Sequence, residues 1–447
     1  MSFLHYSFDR DIPLLRQADV VITGAGPAGI SAALTAAEFG CKTILIEKSA
    51  LPGGMAFLGE VSPFMLNHFG DKSLDHPIYT RWLQKMISYR SSASNDYIAE
   101  RIGPKWGKLY INKNYAALSA EDMLEAAGVE TLYEYTFFDT VMDEKNIRAV
   151  ILHSRSGLCA VSGKIFIDAS GDGVLSAAAG CPVAVGNADG QCQPMTWCFK
   201  VAPVDIPDED FWTGPWRKEI QEAYRKAKAA GILSCPRENV LMFQCCNNSM
   251  VHFNTTRVVM HDPTDAESYR QAGKIARQQI RELLDFLRKE VRGFANADII
   301  SMGQQLGIRE SRRILGDFIL TAEVFRNKSK FPDAIARCNY PIDIHSPSGE
   351  GTRYEPMGYD DFYEIPYRCL IPGNCRNLLT CGRIISSDHV INSSLRVMPV
   401  CCATGQAAGA GAAVALRMQC APGDVDGRIV REELIRFGAH LGDLHNL

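Results

Sequence analysis

The pattern of apolar and polar residues near the start of the chain predicts two buried strands joined by a helix. An apolar run at 20–22 leads into small residues. An alanine-rich segment follows to Gly40, and a second apolar run at 43–46 ends at Glu47. Short, fully apolar runs are typical of strands that are covered on both faces, as in a parallel sheet. The pattern therefore predicts a compact βαβ unit over residues 18–48.

The turn inside this unit has the spacing of a dinucleotide-binding motif, Gly24-Ala-Gly26-Pro-Ala-Gly29. Gly24 permits the tight turn, Gly26 lets the backbone approach a pyrophosphate, and Gly29 lets the helix pack closely on the sheet. The free N–H groups at the start of the helix then face the phosphates. Glu47, at the end of the second strand, can accept the ribose hydroxyls of an adenosine and would repel a 2′-phosphate, which disfavours NADP.

The pattern changes between residues 130 and 168. Three β-rich runs, 131–138, 147–153 and 159–167, are separated by turn residues and predict a meander. The last run enters the small and acidic residues Asp168-Ala-Ser-Gly-Asp172. Such a turn places backbone donors at the carboxyl edge of a sheet, where ligands bind. Asp172 can equally serve as the N-cap of a short helix.

The middle of the chain alternates strand and helix signals without a second glycine fingerprint. Helical spacing covers 211–230 and 265–292, and a polar run at 307–316 contains Arg309 and Arg312. Buried arginines need partners, so this run is either a salt-bridged interface or an anion-binding wall.

Small side chains dominate residues 404–415 near the end of the chain, beginning at Gly405 and Gln406. A helix of such residues can press its backbone against a sheet or a planar ring system, and its N-terminus would stabilise negative charge. Helix packing alone is the other interpretation. It accounts for the alanines better than for Gly405 and Gln406.

Composition narrows the function classes. A net charge of −4 gives no support to nucleic-acid or anionic-membrane binding. We expect no signal peptide and no membrane span, because no long apolar run is present. Fifteen cysteines without a secretion signal predict reduced thiols in the cytoplasm, and the absence of a CxxC pair argues against a zinc or redox-dithiol site. We therefore predict no metal.

Four pieces stand in one order: the glycine turn with Glu47, the pair Gly53-Gly54, the turn 168–172, and Cys381-Gly-Arg383 before Gly405. This order resembles the glutathione-reductase-type FAD flavoproteins and, within them, the bacterial FAD-dependent oxidoreductase family, relatives of the succinate dehydrogenase and fumarate reductase flavoproteins. The resemblance implies an α/β protein. Its Rossmann-like FAD-binding domain would combine a parallel sheet with a β-meander and carry an inserted α+β substrate domain.

The implied domain division is an FAD-binding part at 1–185, a substrate or cap domain at 186–370, a second FAD-binding part at 371–420 and a C-terminal helix at 421–447. The resemblance also implies FAD as the cofactor. The implied cofactor-binding residues are Gly24, Gly26, Pro27, Ala28, Gly29, Glu47, Lys48, Gly53, Gly54, Met55, Asp168, Ala169, Ser170, Gly171, Asp172, Gly382, Arg383, Gly405, Gln406 and Ala407.

Candidates for catalysis follow from the chemistry of a flavin, which exchanges a hydride at N5 while a neighbouring group moves the matching proton. His389 is the first choice for that group and His345 the second, although a single histidine is often only structural. Arg396, Arg309 and Arg312 are candidates for holding a carboxylate or orienting a polyol.

The leading function is thus an FAD-dependent oxidoreductase for a small polar metabolite: a hydroxy acid, a sugar or an unsaturated acid. The alternatives are an NAD-dependent dehydrogenase and a flavin-containing RNA-binding or RNA-modifying protein. The sequence specifies neither the electron acceptor nor the oligomeric state, and it leaves a homo-oligomer open.

Overall fold

The computed structural model describes residues 11–70, 72–89, 108–109, 111–245, 249–349 and 351–443. The helices are α1 (Pro27–Glu38), α2 (Ile78–Ser88), α3 (Lys113–Ala126), α4 (Val174–Ala178), α5 (Pro215–Ala229), α6 (Ala266–Glu290), α7 (Ala322–Arg326), α8 (His389–Leu395), α9 (Met398–Met418) and α10 (Gly427–Arg436). The strands are β1 (Leu14–Thr23), β2 (Thr43–Glu47), β3 (Phe64–Met65), β4 (His68–Phe69), β5 (Lys72–Ser73), β6 (Lys108–Leu109), β7 (Glu130–Tyr133), β8 (Thr136–Asp143), β9 (Asn146–Ser154), β10 (Gly157–Asp168), β11 (Val183–Val185), β12 (Phe199–Ala202), β13 (Met242–Gln244), β14 (Val251–Phe253), β15 (Asp298–Met302), β16 (Arg312–Ile314), β17 (Ala334–Cys338), β18 (Ile342–His345), β19 (Thr352–Glu355), β20 (Tyr363–Pro366) and β21 (Leu378–Thr380).

The main sheet has the order β7-β2-β1-β10-β9-β8, and β21 also pairs with β10. Strands β7, β2, β1, β10 and β21 run parallel, whereas β8, β9 and β10 form an antiparallel meander. The predicted α/β class with a Rossmann-like parallel sheet and a β-meander is confirmed. The run 131–138, predicted as one strand, is two, because the backbone turns at Glu134, whose φ is 62°.

Helix α9 packs along α1 with almost no side chain between the two backbones. A Cβ added at Gly405 would lie 2.0 Å from the carbonyl oxygen of Ala28, and one at Gly409 would lie 2.4 Å from that of Ala32. Among the described helices, α9 has the length and composition of a membrane span, but 89% of its apolar window is buried inside the protein. A central core helix has these properties, since small residues permit close packing.

A second sheet, β13-β14-β12-β15, has its own core. Buried side chains from β12, β13 and β14 pack with those of α5 and α6, including Trp216, Ile220, Ile280 and Leu287. Ile280, Leu283 and Leu287 of α6 belong to this core, whereas Ala272 and Ala276 of the same helix belong to a smaller cluster. The predicted inserted region, residues 186–370, therefore contains a hydrophobic cluster separate from the one that surrounds α1 and α9.

The segment 320–370 contributes its buried side chains to the first core. Phe325, Ile335, Tyr363 and Leu370 belong to the same cluster as Ile22 and the α9 alanines. The division at 185/186, 370/371 and 420/421 stays a prediction. Side-chain packing, however, joins 320–370 to the FAD-binding core, because α9 and α10 lie directly against β17.

Glu60 links the two cores through a buried ion cluster. Its Oε1 lies 2.7 Å from Nζ of Lys113 and 3.5 Å from Nζ of Lys200, and it accepts a hydrogen bond from Ser301. The Glu60 side chain is 0% exposed. Burial would raise the pKa of Glu60, but Lys200 and Lys113 outweigh it and hold the pKa below 4.5.

We expect Glu60→Gln to lower the free energy of unfolding at pH 7 by about 1.5–3 kcal/mol, the value of hydrogen bonds to a charged group. Because the folded-state pKa is depressed, this contribution is present above the unfolded pKa and is lost as pH falls through the folded pKa. Urea unfolding at pH 7 measures the loss in free energy of unfolding, and urea unfolding below pH 4.5 shows whether that loss disappears when Glu60 is protonated. Glu130→Gln, which breaks an exposed pair with Arg16, is the control and should cost less than about 1 kcal/mol. Equal losses of stability in Glu60→Gln and Glu130→Gln would contradict the stabilising role of the buried ion cluster.

Candidate functional site

The backbone of residues 24–29, between β1 and the first turn of α1, forms a glycine cradle that packs against Gly54. Gly24 has φ of +100°, and a Cβ there would lie 2.6 Å from the carbonyl oxygen of Ala169. A Cβ at Gly29 would lie 1.8 Å from the oxygen of Gly24, and one at Gly54 would lie 2.6 Å from Cα of Gly26. Side chains are therefore excluded where three chain segments meet.

Glu47 ends β2 beside this cradle and is buried. Its Oε2 accepts the N–H of Ala25 at 2.7 Å, and its Oε1 accepts the N–H and hydroxyl of Ser49, each at 2.9 Å. A carboxylate has about four acceptor positions. The three bonds fix its orientation and leave capacity for one further donor.

The turn after β10 is held by Asp168 and Arg383. The carboxylate of Asp168 accepts bonds from Ser170 and Ser176 and is 0% exposed, so it organises the turn from behind. Arg383 donates to the oxygen of Gly171 at 2.6 Å, to Ile308 and to Asp172. Arg383 therefore ties this turn to the inserted region.

A cavity of about 750 Å³ lies between these elements and the inserted region. This volume is within the usual range for small-molecule and cofactor sites, about 300–1,000 Å³. Most of the predicted site residues line it. They are Gly24, Gly26, Pro27, Ala28, Glu47, Lys48, Gly54, Met55, Ala169, Ser170, Gly171, Asp172, Gly382, Arg383, His345, Arg309 and Arg396.

Eight predicted site residues lie outside the cavity wall: Gly29, Gly53, Asp168, Gly405, Gln406, Ala407, Arg312 and His389. Gly29 and Gly53 serve the packing of the turn, where their Cβ positions are blocked by Gly24 and Phe57. Gly405 is pressed against α1, and Ala407 is 0% exposed within α9.

The side chains of Gln406 and Arg312 do not line the cavity and instead form hydrogen bonds with the backbone of neighbouring elements. Gln406 accepts the N–H of Ile78 at 3.3 Å and donates to the oxygen of His76 at 3.2 Å. Arg312 donates to the oxygen of Asp172 at 3.2 Å. Both residues therefore support neighbouring elements from outside the cavity.

His345 is the histidine of the predicted pair that faces the cavity. Its side chain is 11% exposed, with Nε2 3.6 Å from Oδ2 of Asp343 and Nδ1 3.2 Å from the hydroxyl of Thr352. Burial, and then the charges of Arg309 and Arg396, hold the pKa of His345 well below 6.5. The ring is therefore neutral at neutral pH and has one nitrogen able to accept a proton.

His389 instead begins α8 and turns toward Glu310. Its Nδ1 lies 2.8 Å from Oε1 of Glu310, which also forms a buried ion pair with Arg313. Oε2 of Glu310 accepts a hydrogen bond from the backbone N–H of Gln193 at 3.2 Å. The side-chain Oε1 of Gln193 in turn accepts one from the backbone N–H of His345 at 3.4 Å. His389 thus belongs to a network behind the strand that carries His345.

Sequence reasoning missed Arg237, Tyr340 and Cys401, which also line the cavity. Arg237 lies in the connection after α5 and is 7% exposed. Tyr340 donates to Oδ2 of Asp343 at 3.4 Å, and Cys401 lies in the first turn of α9. No local motif surrounds Arg237, whereas Tyr340 and Cys401 flank segments that the sequence had singled out.

The residues of the cradle suit a dinucleotide. The first amides of α1 have no intrahelical acceptor, as in any helix, and the missing Cβ of Gly26 leaves space open to the cavity. Across the described ranges, no group of three His, Cys, Asp or Glu side chains is arranged to hold a metal ion.

The FAD dependent oxidoreductase family model matches residues 19–434. The chain belongs to this family. It is therefore an enzyme that uses FAD. Comparison with curated proteins finds no match.

Several solved flavoproteins are similar to this oxidoreductase at 13% identity, each over 94% of the chain. They are a geranylgeranyl bacteriochlorophyll reductase-like protein from Thermoplasma acidophilum (83% of its length, TM-score 0.49), a flavin-dependent brominase (86%, 0.47) and a flavoprotein/dehydrogenase from Cytophaga hutchinsonii (82%, 0.45).

Proposed function

We propose that this enzyme transfers a hydride between the flavin and a small polar metabolite, either a hydroxy acid, a sugar or an unsaturated acid. The observation that carries the proposal is the shared cavity, which has the glycine cradle on one wall and His345 with Arg309 and Arg396 on another. Bound FAD supplies a two-electron acceptor or donor at N5. The protein supplies binding, orientation and the proton.

The cradle residues would bind the cofactor through its adenosine diphosphate. Gly26 and Ala28 present backbone amides to the pyrophosphate, and the missing Cβ of Gly26 leaves space for it. Glu47 has a remaining acceptor position for a ribose hydroxyl. Arg383 and the turn it holds would face the middle of the cofactor. The broader relationship to glutathione-reductase-type and succinate dehydrogenase flavoproteins is part of this proposal and is supported by the order of these elements along the chain.

His345 would carry the proton in this scheme. Nδ1 lies within hydrogen-bond distance of the Thr352 hydroxyl, and the neutral ring can accept a proton from a substrate hydroxyl at its unprotonated nitrogen. His389 would act on His345 only indirectly, through Glu310 and Gln193. Tyr340 and Asp343, which are bonded to each other, would complete the polar wall.

We also propose that the enzyme works in the cytoplasm. The 14 described cysteines are free, and most are buried. Burial raises the pKa of the Cys401 thiol to about 12, so it stays protonated beside the cavity. Reduced thiols of this kind persist in the cytosol.

The purified protein should be yellow, absorb near ~450 nm and carry one FAD per chain, flavin being the electron-carrying cofactor. Anaerobic mixing with a panel of hydroxy acids, sugars and unsaturated acids, the last after chemical reduction of the flavin, should change the flavin absorbance with at least one of them. A colourless protein that takes up no FAD on reconstitution would overturn the proposal.

A further inference from the structure

Three arginines converge on the cavity from different parts of the chain. Arg237 follows α5, Arg309 lies ahead of β16, and Arg396 follows α8; all three line the cavity. Burial, followed by the charges of Arg396 and Arg237, lowers the pKa of Arg309 to about 9. Arg309 therefore lies close to both other guanidinium groups.

The hydrogen bonds of this arginine group are incomplete. Arg309 donates to the oxygen of Pro194 and the hydroxyl of Thr196, both at 2.6 Å. Arg396 donates to the backbone oxygen of Asp343 at 3.3 Å, but its Nε is buried without an acceptor. Nε of Arg237 is likewise buried without an acceptor.

Buried arginines elsewhere in this chain have carboxylate partners. Arg313 pairs with Glu310, and Arg337 pairs with Glu364 at 3.0 Å. Within the part of the chain that the structure describes, no carboxylate lies within ion-pair distance of Arg237, Arg309 or Arg396. Arg237, which is 7% exposed, is buried as Arg313 and Arg337 are but lacks such a partner, and a buried charge without a partner is costly. The contrast indicates that the partner of this group comes from outside the protein.

The charge balance around the group points to an anion. Three guanidinium groups and the carboxylate of Asp343 line the cavity, while His345 stays neutral because its pKa is held well below 6.5. Two other carboxylates line the cavity, but Asp172 is paired with Arg383 and Glu47 is bonded to Ala25 and Ser49. The group therefore keeps an excess of positive charge.

The cofactor's phosphates have a different place in the cavity. Their proposed site is the glycine cradle at the start of α1, built from residues 24–29. The charged side chains that shift the pKa values of Arg309 and His345 are instead those of Arg237, Arg257, Arg309, Asp343 and Arg396. The arginine group is thus left for the second ligand, the substrate.

We propose that Arg237, Arg309 and Arg396 form an anion-binding subsite and that the substrate of this enzyme is a small carboxylic acid held there by its carboxylate. This inference rests on the proposed function and narrows its substrate class, excluding neutral sugars. Guanidinium groups match a planar carboxylate with paired N–H donors, which accounts for the use of arginine at all three positions.

The test uses the FAD-loaded enzyme and four probes: oxalate, malonate, succinate and inorganic phosphate. Binding is followed by the shift of the flavin absorbance and by calorimetry. At least one carboxylate should bind saturably, and Arg237→Gln, Arg309→Gln and Arg396→Gln should each weaken its binding at least about 30-fold, since removing one partner of a buried charge pair costs this much. FAD content should not change.

Arg225→Gln is the matched control, because it removes one positive charge from α5 where the side chain is exposed and donates to the backbone oxygen of Gln221. It should bind the carboxylate as the wild type does. The inference would be overturned if the three arginine variants bound the carboxylate as tightly as the wild type does. It would also be overturned if the enzyme bound phosphate but no carboxylate, or if these variants lost FAD. A protein without FAD would instead overturn the proposed function.

Discussion

Gly26→Ala is expected to weaken FAD binding by about 100-fold or more, about 2.7 kcal/mol, while the apoprotein stays folded. Gly26 has φ of −75° and ψ of −178°, an extended conformation open to any residue. A Cβ added there has one protein neighbour within 4 Å, Cα of Gly54 at 3.8 Å, so the methyl group fits the protein. Gly26 lines the cavity, however, and the methyl group would occupy space that the pyrophosphate needs.

Calorimetric titration of the apoprotein with FAD measures this effect, and thermal unfolding without FAD checks the fold. Two glycines of the same unit are controls. Gly29→Ala should destabilise the apoprotein itself, because its Cβ would lie 1.8 Å from the oxygen of Gly24. Gly40→Ala should also lower the stability of the apoprotein, because the φ of Gly40 is +86°, but it should leave the FAD affinity of the folded protein unchanged, because Gly40 lies away from the cavity. Unchanged FAD affinity in Gly26→Ala would remove the cradle from the cofactor site.

The βαβ unit with its glycine turn was predictable because its information is local. Strand, turn, helix and acid follow one another within about thirty residues, and the contacts of Gly29 with Gly24 and of Glu47 with Ala25 and Ser49 lie inside this unit. The structure adds which glycines face the cavity and which serve packing. Gly405 could not be sorted from sequence, since its decisive contact is with Ala28, far away along the chain.

The residues proposed for substrate binding and proton transfer were less predictable, because they meet only through tertiary structure. Arg237 has no periodic or motif context, yet it joins Arg309 and Arg396 in the cavity. The choice between His389 and His345 depended on where each ring points. That in turn depends on Glu310, whose charge attracts His389 and Arg313 away from the cavity.

His345→Gln is expected to slow flavin reduction by substrate about 10²- to 10⁴-fold, the usual contribution of a positioned acid or base. FAD should stay bound, because the cradle is untouched. Stopped-flow absorbance under anaerobic conditions measures the rate. His389→Gln should have a smaller effect, because this residue acts only through Glu310 and Gln193. A larger loss in His389→Gln than in His345→Gln would reverse the assignment of the two histidines.

The pH dependence separates a proton carrier from a residue that only shapes the cavity. In the free enzyme, burial and the arginine group hold the pKa of His345 well below 6.5, so the ring is a weak base. A bound carboxylate would offset the charges of Arg309 and Arg396 and raise that pKa, which makes His345 a stronger base once substrate is present. Since kcat/KM reports the free enzyme and kcat the complex, the acid limb of kcat should lie at higher pH than that of kcat/KM. Both limbs should disappear in His345→Gln; coincident limbs, or limbs that persist in the variant, would show that another group carries the proton.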